Sequence, residues 1–364
     1  MPPVTRRKSL RAATLADVGR EAGVSAMAAS TVLNGARTSS RISPETRQRI
    51  IEAAEKLRYR PNAAARALAD RRMNTLGVAA VFDGNQLNQY FLEVFNGVVE
   101  AAARHNQNTT VFTLHDWHKD VERLPGFCDG RIDGLILIGP TFTREALEML
   151  PEHTPCVAVH SNHDLPRLVN LESDEEKGAR DATAYLISKG HRRIMHLAGP
   201  KDLLGAQRRL RGYKRALADA RIEFDPALVV QADFSMEGGT LALSRWLKEP
   251  TTRLLPQAIF CANDALAMGA MEALAKMGFR VPTDISIVGF DDTLAARSTV
   301  PQLTTVRQPL RAMGVKGVEV LLDRIQSIHS EKSERAWKNI VFTTELVERG
   351  SAGPAPKIVH TLRE

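Results

Sequence analysis

Long apolar runs are missing from this 364-residue chain. No stretch approaches the ~18 residues that would mark a membrane-spanning helix, so no membrane role is expected. Cysteine is scarce: Cys128, Cys156 and Cys261 lie far apart and form no C-x-x-C pair. An odd, scattered set fits reduced core thiols and excludes a disulfide framework or a zinc knuckle. Aromatic residues make up only 5% of the chain, and the first 72 residues hold one, Tyr59. That segment cannot be a stacking platform for single-stranded nucleic acid. Catalytic signatures are absent too: there is no G-x-S-x-G elbow, no phosphate-binding G-x-x-x-x-G-K-[ST] loop and no G-x-G-x-x-G after a strand. Asp291 and Asp292 are adjacent in sequence and would point in different directions, a poor geometry for paired catalytic carboxylates. No enzyme activity, cofactor or metal is expected.

What is present is an ordinary globular composition, 43% hydrophobic and 25% charged, with length for two or three domains. Its charge is unevenly spread. Residues 1–72 hold 15 Lys and Arg against 6 Asp and Glu, a net of +9, while the remaining 292 residues come to −2. A small basic module joined to a neutral body points to a polyanion at one end and a different task at the other. Thr5–Leu10 (TRRKSL) faintly echoes a twin-arginine export signal, but Asp17, Arg20 and Glu21 interrupt the next stretch and leave no apolar core. A cytoplasmic protein is expected.

Residues 1–13 read as a basic arm. Thr14-Leu-Ala-Asp17 resembles a capping box that opens a helix running to Ala22, and Gly23 ends it. A second short helix, Ser25 to about Leu33, follows almost at once and stops at Asn34-Gly35. Ser43-Pro44 starts a third, whose face is Ile50, Ile51, Ala54 and Leu57 and whose end is expected at Arg60-Pro61. The spacing over 15–34 is that of a helix-turn-helix, with Gly19 facing the partner helix and Val18, Val24 and Val32 available to the core. An Ala-rich run over 62–69 could be one more helix, and 70–74 a polar link.

From Thr75 the texture changes. Apolar runs that read as buried strands recur at Leu76–Phe82, Thr109–Leu114, Gly134–Ile138, Cys156–Val159, Ile194–Leu197, Leu228–Val230, Ala258–Cys261 and Ile285–Gly289. Amphipathic stretches such as Tyr90–His105, Glu175–Lys189, Gln207–Ala220 and Ala265–Met277 separate most of them. This alternation implies right-handed crossovers and parallel sheets covered by helices, in two lobes because the strands are too many for one open sheet. Leu310–Ile328 (helical) and Asn339–Val347 (extended) must pack back onto the lobes, and the residues from Gly350 read as a loose tail.

The chain resembles the lactose-repressor/galactose-repressor family of transcription factors. The likeness rests on Thr14-Leu-Ala-Asp-Val18, Ala22-Gly-Val-Ser25, Val32-Leu-Asn-Gly35, Ser43-Pro-Glu-Thr-Arg47, Tyr59-Arg-Pro-Asn62, Ala65-Arg-Ala-Leu68 and Leu76-Gly-Val78. In the body it continues through Ser188-Lys-Gly-His-Arg192, Leu197-Ala-Gly-Pro200, Arg209-Leu-Arg-Gly-Tyr213, Ala262-Asn-Asp264, Ile287-Val-Gly-Phe-Asp-Asp292 and Leu303-Thr-Thr-Val306. It implies an α/β protein with an N-terminal three-helix helix-turn-helix domain (14–61) and a hinge helix with linker (62–74). A two-lobed Rossmann-like, periplasmic-binding-protein-like (type I) effector and dimerisation domain (75–350) would come next, then a tail (351–364). Lobe one is expected over about 75–162 and 293–328, lobe two over about 163–292 and 336–350.

The resemblance assigns DNA contacts to Thr14, Ser25, Ala26, Met27, Ser30, Thr31, Asn34, Tyr59, Asn62, Ala65, Arg66 and Leu68. In the family a leucine of the hinge wedges between base pairs, and Leu68 matches it; Arg66 would face phosphate. Where this chain has Ala28, Ala29 and Thr31 the family more often has Thr, Val and Arg. None of Ala26, Met27, Ser30 or Thr31 can pair bidentately with guanine. Either methyl contacts, hydroxyls and groove shape read the operator, or Arg37 and Arg41 from the long loop over 35–43 contribute.

Asn263-Asp264 and Asp291-Asp292 sit at the ends of expected strands, where open α/β sheets bind ligands. The resemblance maps an effector site onto Arg209, Asn263 and Asp291, with Tyr90 and Phe91 where purine-binding members stack an aromatic ring. His160 stands where the family usually has a polar residue, often Asp, that touches ligand; it could do so or merely cap its strand. The pairs His115/His118 and His160/His163 could hold a metal, but no Cys or Glu completes a set, and none is expected.

The expected function is a ligand-responsive transcriptional regulator, a repressor that binds a near-palindromic double-stranded operator as a homodimer, or a tetramer, under control of a sugar-like small-molecule effector. Alternatives are a purine-controlled regulator, an architectural DNA binder, or a carbohydrate or nucleotide enzyme with a basic arm.

Overall fold

The computed structural model describes residues 11–34, 42–61, 72–82, 88–141, 143, 148–163, 168–249, 254–329 and 337–356. Its contacts divide the chain into two units, Met1–Asn74 and Thr75–Glu364.

In the first unit, three helices pack together: α1 (Leu15–Ala22), α2 (Ala26–Asn34) and α3 (Pro44–Lys56). Thr14 caps α1 as a full capping box, its backbone N–H donating to Asp17 Oδ2 at 2.9 Å while Asp17 N–H donates to Thr14 Oγ1 at 3.3 Å. Gly23 ends α1 at φ 68°, and Val24 N–H donates to Gly19 O at 2.8 Å, so the turn to α2 is tight. A Cβ at Gly19 would stand 2.8 Å from Val24 O, which is why only glycine fits there. The buried side chains are Val18, Ile50 and the alanines 22, 29, 53 and 54. A core so rich in alanine is thin, and the solvent-exposed Glu21–Lys56 ion pair adds a weak link between α1 and α3. α3 ends before the expected Arg60-Pro61 stop, because Arg58 takes φ 49° and Tyr59 N–H turns back to Ala54 O at 2.8 Å. Leu68 and the rest of the expected hinge helix, together with Arg37 and Arg41, lie outside the described residues.

The second unit holds two six-stranded sheets. The first is built of β1 (Thr75–Val81), β2 (Asn108–Leu114), β3 (Gly134–Ile138), β4 (Cys156–Val159), β5 (Val169–Ser173) and β11 (Ile340–Phe342), in the order β11-β5-β4-β3-β1-β2 and wholly parallel. The second is built of β6 (Ile194–Ala198), β7 (Val229–Gln231), β8 (Ala258–Cys261), β9 (Ser286–Asp291), β10 (Thr304–Arg307) and β12 (Glu345–Val347), ordered β12-β10-β9-β8-β6-β7, with only β12 antiparallel. Helices cover both faces, and strands such as β3 (GLILI) are therefore apolar at every position. On the first sheet α4 (Gln89–Arg104) packs against the long α9 (Leu310–His329); Gly97 and Gly314 let the two backbones meet where any side chain would strike a carbonyl. On the second, α5 (Glu175–Ser188) packs on α6 (Leu204–Asp219), and α7 (Met236–Leu247) on α8 (Asp264–Lys276). Among the described residues no helix is long and apolar enough to cross a membrane.

Three points depart from the sequence expectation. The lobes divide elsewhere: β5 stays with the first sheet, β10 belongs to the second, and β11 returns to the first before β12 joins the second. The chain thus changes lobe near Ser173, Gln308 and Thr344, later than the expected 162, 292 and 328. β5 escaped notice because it alternates (Val169-Asn-Leu-Glu-Ser173) and so lacks an apolar run. The expected loose tail is also wrong in its first part. Ser351 is fully buried, its Oγ donating to Ile287 O at 2.6 Å and accepting from Thr304 N–H at 2.8 Å, and Ala355 N–H donates to Lys189 O.

Candidate functional site

The site lies where β4, β5, β9 and β10 end. Three non-glycine residues there take left-handed φ: His160 (53°), Asp291 (127°) and Asp292 (58°). Such strain persists where surrounding bonds over-determine it, and it clusters at functional sites.

A continuous hydrogen-bond chain runs from Tyr90 on α4 in one lobe to Asp291 on β9 in the other. Tyr90 Oη lies 2.7 Å from His160 Nδ1. His160 Nε2 lies 3.0 Å from Ser173 Oγ and accepts the Ser173 backbone N–H at 3.2 Å. Ser173 Oγ donates to Gln308 Oε1, and Gln308 Nε2 donates to Asp291 Oδ1 at 2.6 Å. Burial pushes the His160 imidazole down to about 4, so the ring is neutral at pH 7. Burial pushes the Asp291 carboxyl up to about 8; Asp264 and Glu175 add to the shift and Arg209 opposes it. Burial likewise holds Tyr90 as a neutral phenol.

Beside this chain stands Arg209 on α6, buried over the ring of Phe290 at 4.3 Å, with Phe234 at 5.6 Å. Its Nη2 donates to Glu175 Oε1 at 2.8 Å and its Nη1 to Ala262 O, while its Nε has no partner among the described residues. Burial disfavours a charged Glu175, but the neighbouring Arg209, with Arg208, overcomes it and holds the carboxyl below its usual range. Arg208 bonds Glu172 Oε2 at 2.7 Å. Both arginines therefore have a matching anion.

Tyr90, His160, Arg209 and Asp291 are thus brought together, while Phe91 packs in the core and Asn263 caps a helix. Phe91 is buried in the core of the first lobe, stacked on Phe95 at 5.3 Å and against Phe82 at 5.4 Å. Asn263 caps α8, accepting Leu266 N–H at 2.8 Å and donating to Phe234 O at 3.0 Å. Its neighbour Asp264 accepts from Thr293 and Thr305. Asp292 is a buried hub for Arg297, Arg307 and Arg349. Sequence reasoning missed Ser173, Glu175 and Gln308. Gln308 lies two residues beyond the Leu303–Val306 motif, and Ser173 closes the unnoticed β5. Among the described residues no three His, Cys, Asp or Glu side chains cluster as a metal site, and Asp116 instead accepts the backbone N–H groups of His118 and Lys119 in a turn.

In the first unit, α2 shows Ser25, Ala26 and Met27 to solvent, Met27 at 77% exposure, with Ser30 and Thr31 partly exposed. Ser25 Oγ caps the helix by accepting Ala28 N–H at 3.1 Å, and Thr31 Oγ1 spends its hydrogen on Met27 O at 3.0 Å. Thr14 is likewise committed to its capping box, and Tyr59 packs on the three-helix core. Asn34 closes α2; Asn62, Ala65 and Arg66 lie outside the described residues.

Residues 14–62 match the family described as bacterial regulatory proteins, lacI family, and residues 183–352 match the periplasmic binding protein-like domain. The HTH-type transcriptional repressor PurR of Aliivibrio fischeri (strain MJ11) is 33% identical over 325 residues, covering 88% of this chain and 94% of that protein. A transcriptional regulator CelR–cellobiose complex is similar with a TM-score of 0.68 at 32% identity, covering 93% of this chain and 100% of that one. The lac repressor dimer bound to operator and the anti-inducer ONPF gives a TM-score of 0.80 at 27% identity, covering 94% and 100%.

Proposed function

The chain belongs to the lacI family of bacterial regulatory proteins, as a ligand-responsive DNA-binding transcriptional repressor, and we propose that its effector is an uncharged, hydroxyl-rich molecule bound between the lobes by Tyr90, Arg209 and Asp291. The observation that carries this reading is the charge balance of the site. Arg209 is paired with Glu175 and Arg208 with Glu172, and burial pushes the Asp291 carboxyl toward its neutral form. A phosphosugar or sugar acid would find no unmatched cation, whereas a sugar could use Arg209 Nε–H, the Tyr90 hydroxyl and the second oxygen of Asp291. Closing of the lobes on such a ligand would bias the two states that operator affinity depends on.

At the other end, α2 reads a near-palindromic operator as part of a homodimer in the cytoplasm. With no arginine on its exposed face, the helix relies on apolar and hydroxyl contacts and on groove shape, and Leu68 supplies the minor-groove wedge. The role is regulatory, not enzymatic. A purine effector is the second reading, supported by relatives that match nearly their whole length and are named as PurR repressors.

The test is a thermal-shift and calorimetric panel of glucose, ribose, cellobiose, glucose 6-phosphate, gluconate, adenine and guanine. A neutral sugar should bind, and Asp291→Ala should weaken it roughly 30-fold or more, ~2 kcal/mol, with operator affinity unchanged. Preferential binding of a phosphosugar or sugar acid, or an Asp291→Ala affinity within about threefold of wild type, would refute this assignment.

A further inference from the structure

We propose that His160 is a positioning residue that makes Tyr90 an obligate hydrogen-bond donor to the effector, because the backbone of Ser173 locks the imidazole in one tautomer. This rests on the effector reading above and goes beyond it.

The backbone N–H of Ser173 reaches His160 Nε2 at 3.2 Å, and a peptide N–H can only donate. Nε2 must therefore carry a lone pair and no proton. A neutral imidazole then has its hydrogen on Nδ1, and Nδ1 faces Tyr90 Oη at 2.7 Å. So the histidine donates and the tyrosine oxygen accepts. The tyrosine's own hydrogen is left over, with no acceptor among the described residues, and must find one elsewhere.

The tautomer does not depend on the amide orientation of Gln308. If Ser173 Oγ donates to Gln308, the backbone N–H alone satisfies Nε2; if the amide is reversed, Ser173 Oγ donates to Nε2 instead, and Nε2 is still an acceptor. The left-handed backbone at His160 and the near-complete burial of Ser173, only 2% exposed, hold the ring in place. Burial also keeps the ring uncharged at neutral pH, which leaves the lone pair on Nε2. An aspartate at this position would do the opposite: a carboxylate only accepts, so it would capture the Tyr90 hydrogen and leave the cleft facing an acceptor.

Two measurements on the full-length protein test this. The first is long-range ¹H–¹⁵N spectroscopy of ¹⁵N-histidine-labelled protein at pH 7, with the His160 signal identified by its loss in His160→Gln. The Nδ1–H pattern is expected, and it should survive Tyr90→Phe, since Ser173 sets it. An Nε2–H or imidazolium pattern would overturn the proposal, whatever ligand the protein binds. The second is calorimetry with cellobiose, or with adenine should the disaccharide give no heat. Tyr90→Phe and His160→Asp should each weaken binding at least tenfold, and the double variant no more than either alone, because both remove one donor. Fully additive losses, or none, would overturn the proposal. If neither probe binds the wild type while the Nδ1–H pattern stands, the effector reading fails and takes the proposal with it, and the two failures remain distinguishable.

Discussion

Glu175 and Arg209 form a buried ion pair, 2.8 Å from Oε1 to Nη2, with side-chain exposures of 3% and 8%. The pair comes from the first turn of α5 and the second turn of α6, so it also joins the helices that pack on the second lobe. It decides the electrostatics of the candidate site, because an arginine without a carboxylate beside it would call for an anionic ligand.

Glu175→Gln should therefore change both stability and selectivity. Removing one partner of a buried pair leaves the other charge uncompensated, at a cost of about 3–5 kcal/mol. The same change frees Arg209 for an anion, so gluconate should gain at least tenfold relative to glucose. Urea unfolding and competition calorimetry would check this. Unaltered stability together with an unaltered preference would contradict the assigned balance of charge.

Asp292→Asn should loosen the C-terminal segment. Its carboxylate, fully buried, accepts from Arg349 Nη2, from Arg307 Nε at 2.7 Å and from Arg297 Nη2 at 3.2 Å. Arg349 itself is largely buried and also holds Leu303 O, so it anchors the chain after β12 to β10. A loss of about 2–3 kcal/mol is expected, at the lower end for a buried pair because Arg297 and Arg307 can hydrate. Hydrogen exchange should speed up over residues 345–353; unchanged protection there would show that the hub is not what holds the segment.

His196 should set part of the acid stability. It lies fully buried between Tyr213 and Phe260, with Nδ1 donating to Phe260 O at 3.0 Å and Nε2 without a partner among the described residues. Burial lowers its pKa from 6.5 to about 4. As pH falls below 6.5 the unfolded chain takes up a proton that the folded ring refuses until about 4, so stability is present above 6.5 and lost through that window. His160 acts in the same direction. Asp291 acts in the opposite one: the unfolded chain releases a proton above 3.8 that the folded carboxyl keeps up to about 8, so its contribution falls as pH rises. His196→Phe should cost about 1 kcal/mol or less at pH 7, for one lost hydrogen bond. Below 6.5 it should flatten the acid slope by up to ~1.4 kcal/mol per pH unit. Urea midpoints from pH 4.5 to 8 would measure it; an identical slope in both proteins would rule it out.

Much of this architecture was legible in the chain itself, wherever a local rule governs. The Thr14–Asp17 box, Gly23 and the Ser43-Pro44 start each act within one helical turn, so residue type alone reports them. Strands buried on both faces read as apolar runs, since both faces of a parallel sheet are covered. The +9 module against a near-neutral body is a matter of counting.

Tertiary structure decided the rest, for reasons that are not local. That Asn263 caps α8 depends on where Leu266 N–H lies, and which of Phe91 and Tyr90 enters the core depends on which side of α4 meets the sheet. The lobe of β5 and β10 followed from strand pairing, which an alternating Val169–Ser173 segment conceals. The charge of Arg209 is cancelled by a carboxylate 34 residues away, and the tautomer of His160 is set by a backbone N–H 13 residues on. Sequence by itself determined which residue types stand near the strand ends. Only the fold decided which of them still have a hydrogen or a lone pair to offer, because that depends on every neighbour the folded chain brings within hydrogen-bond reach.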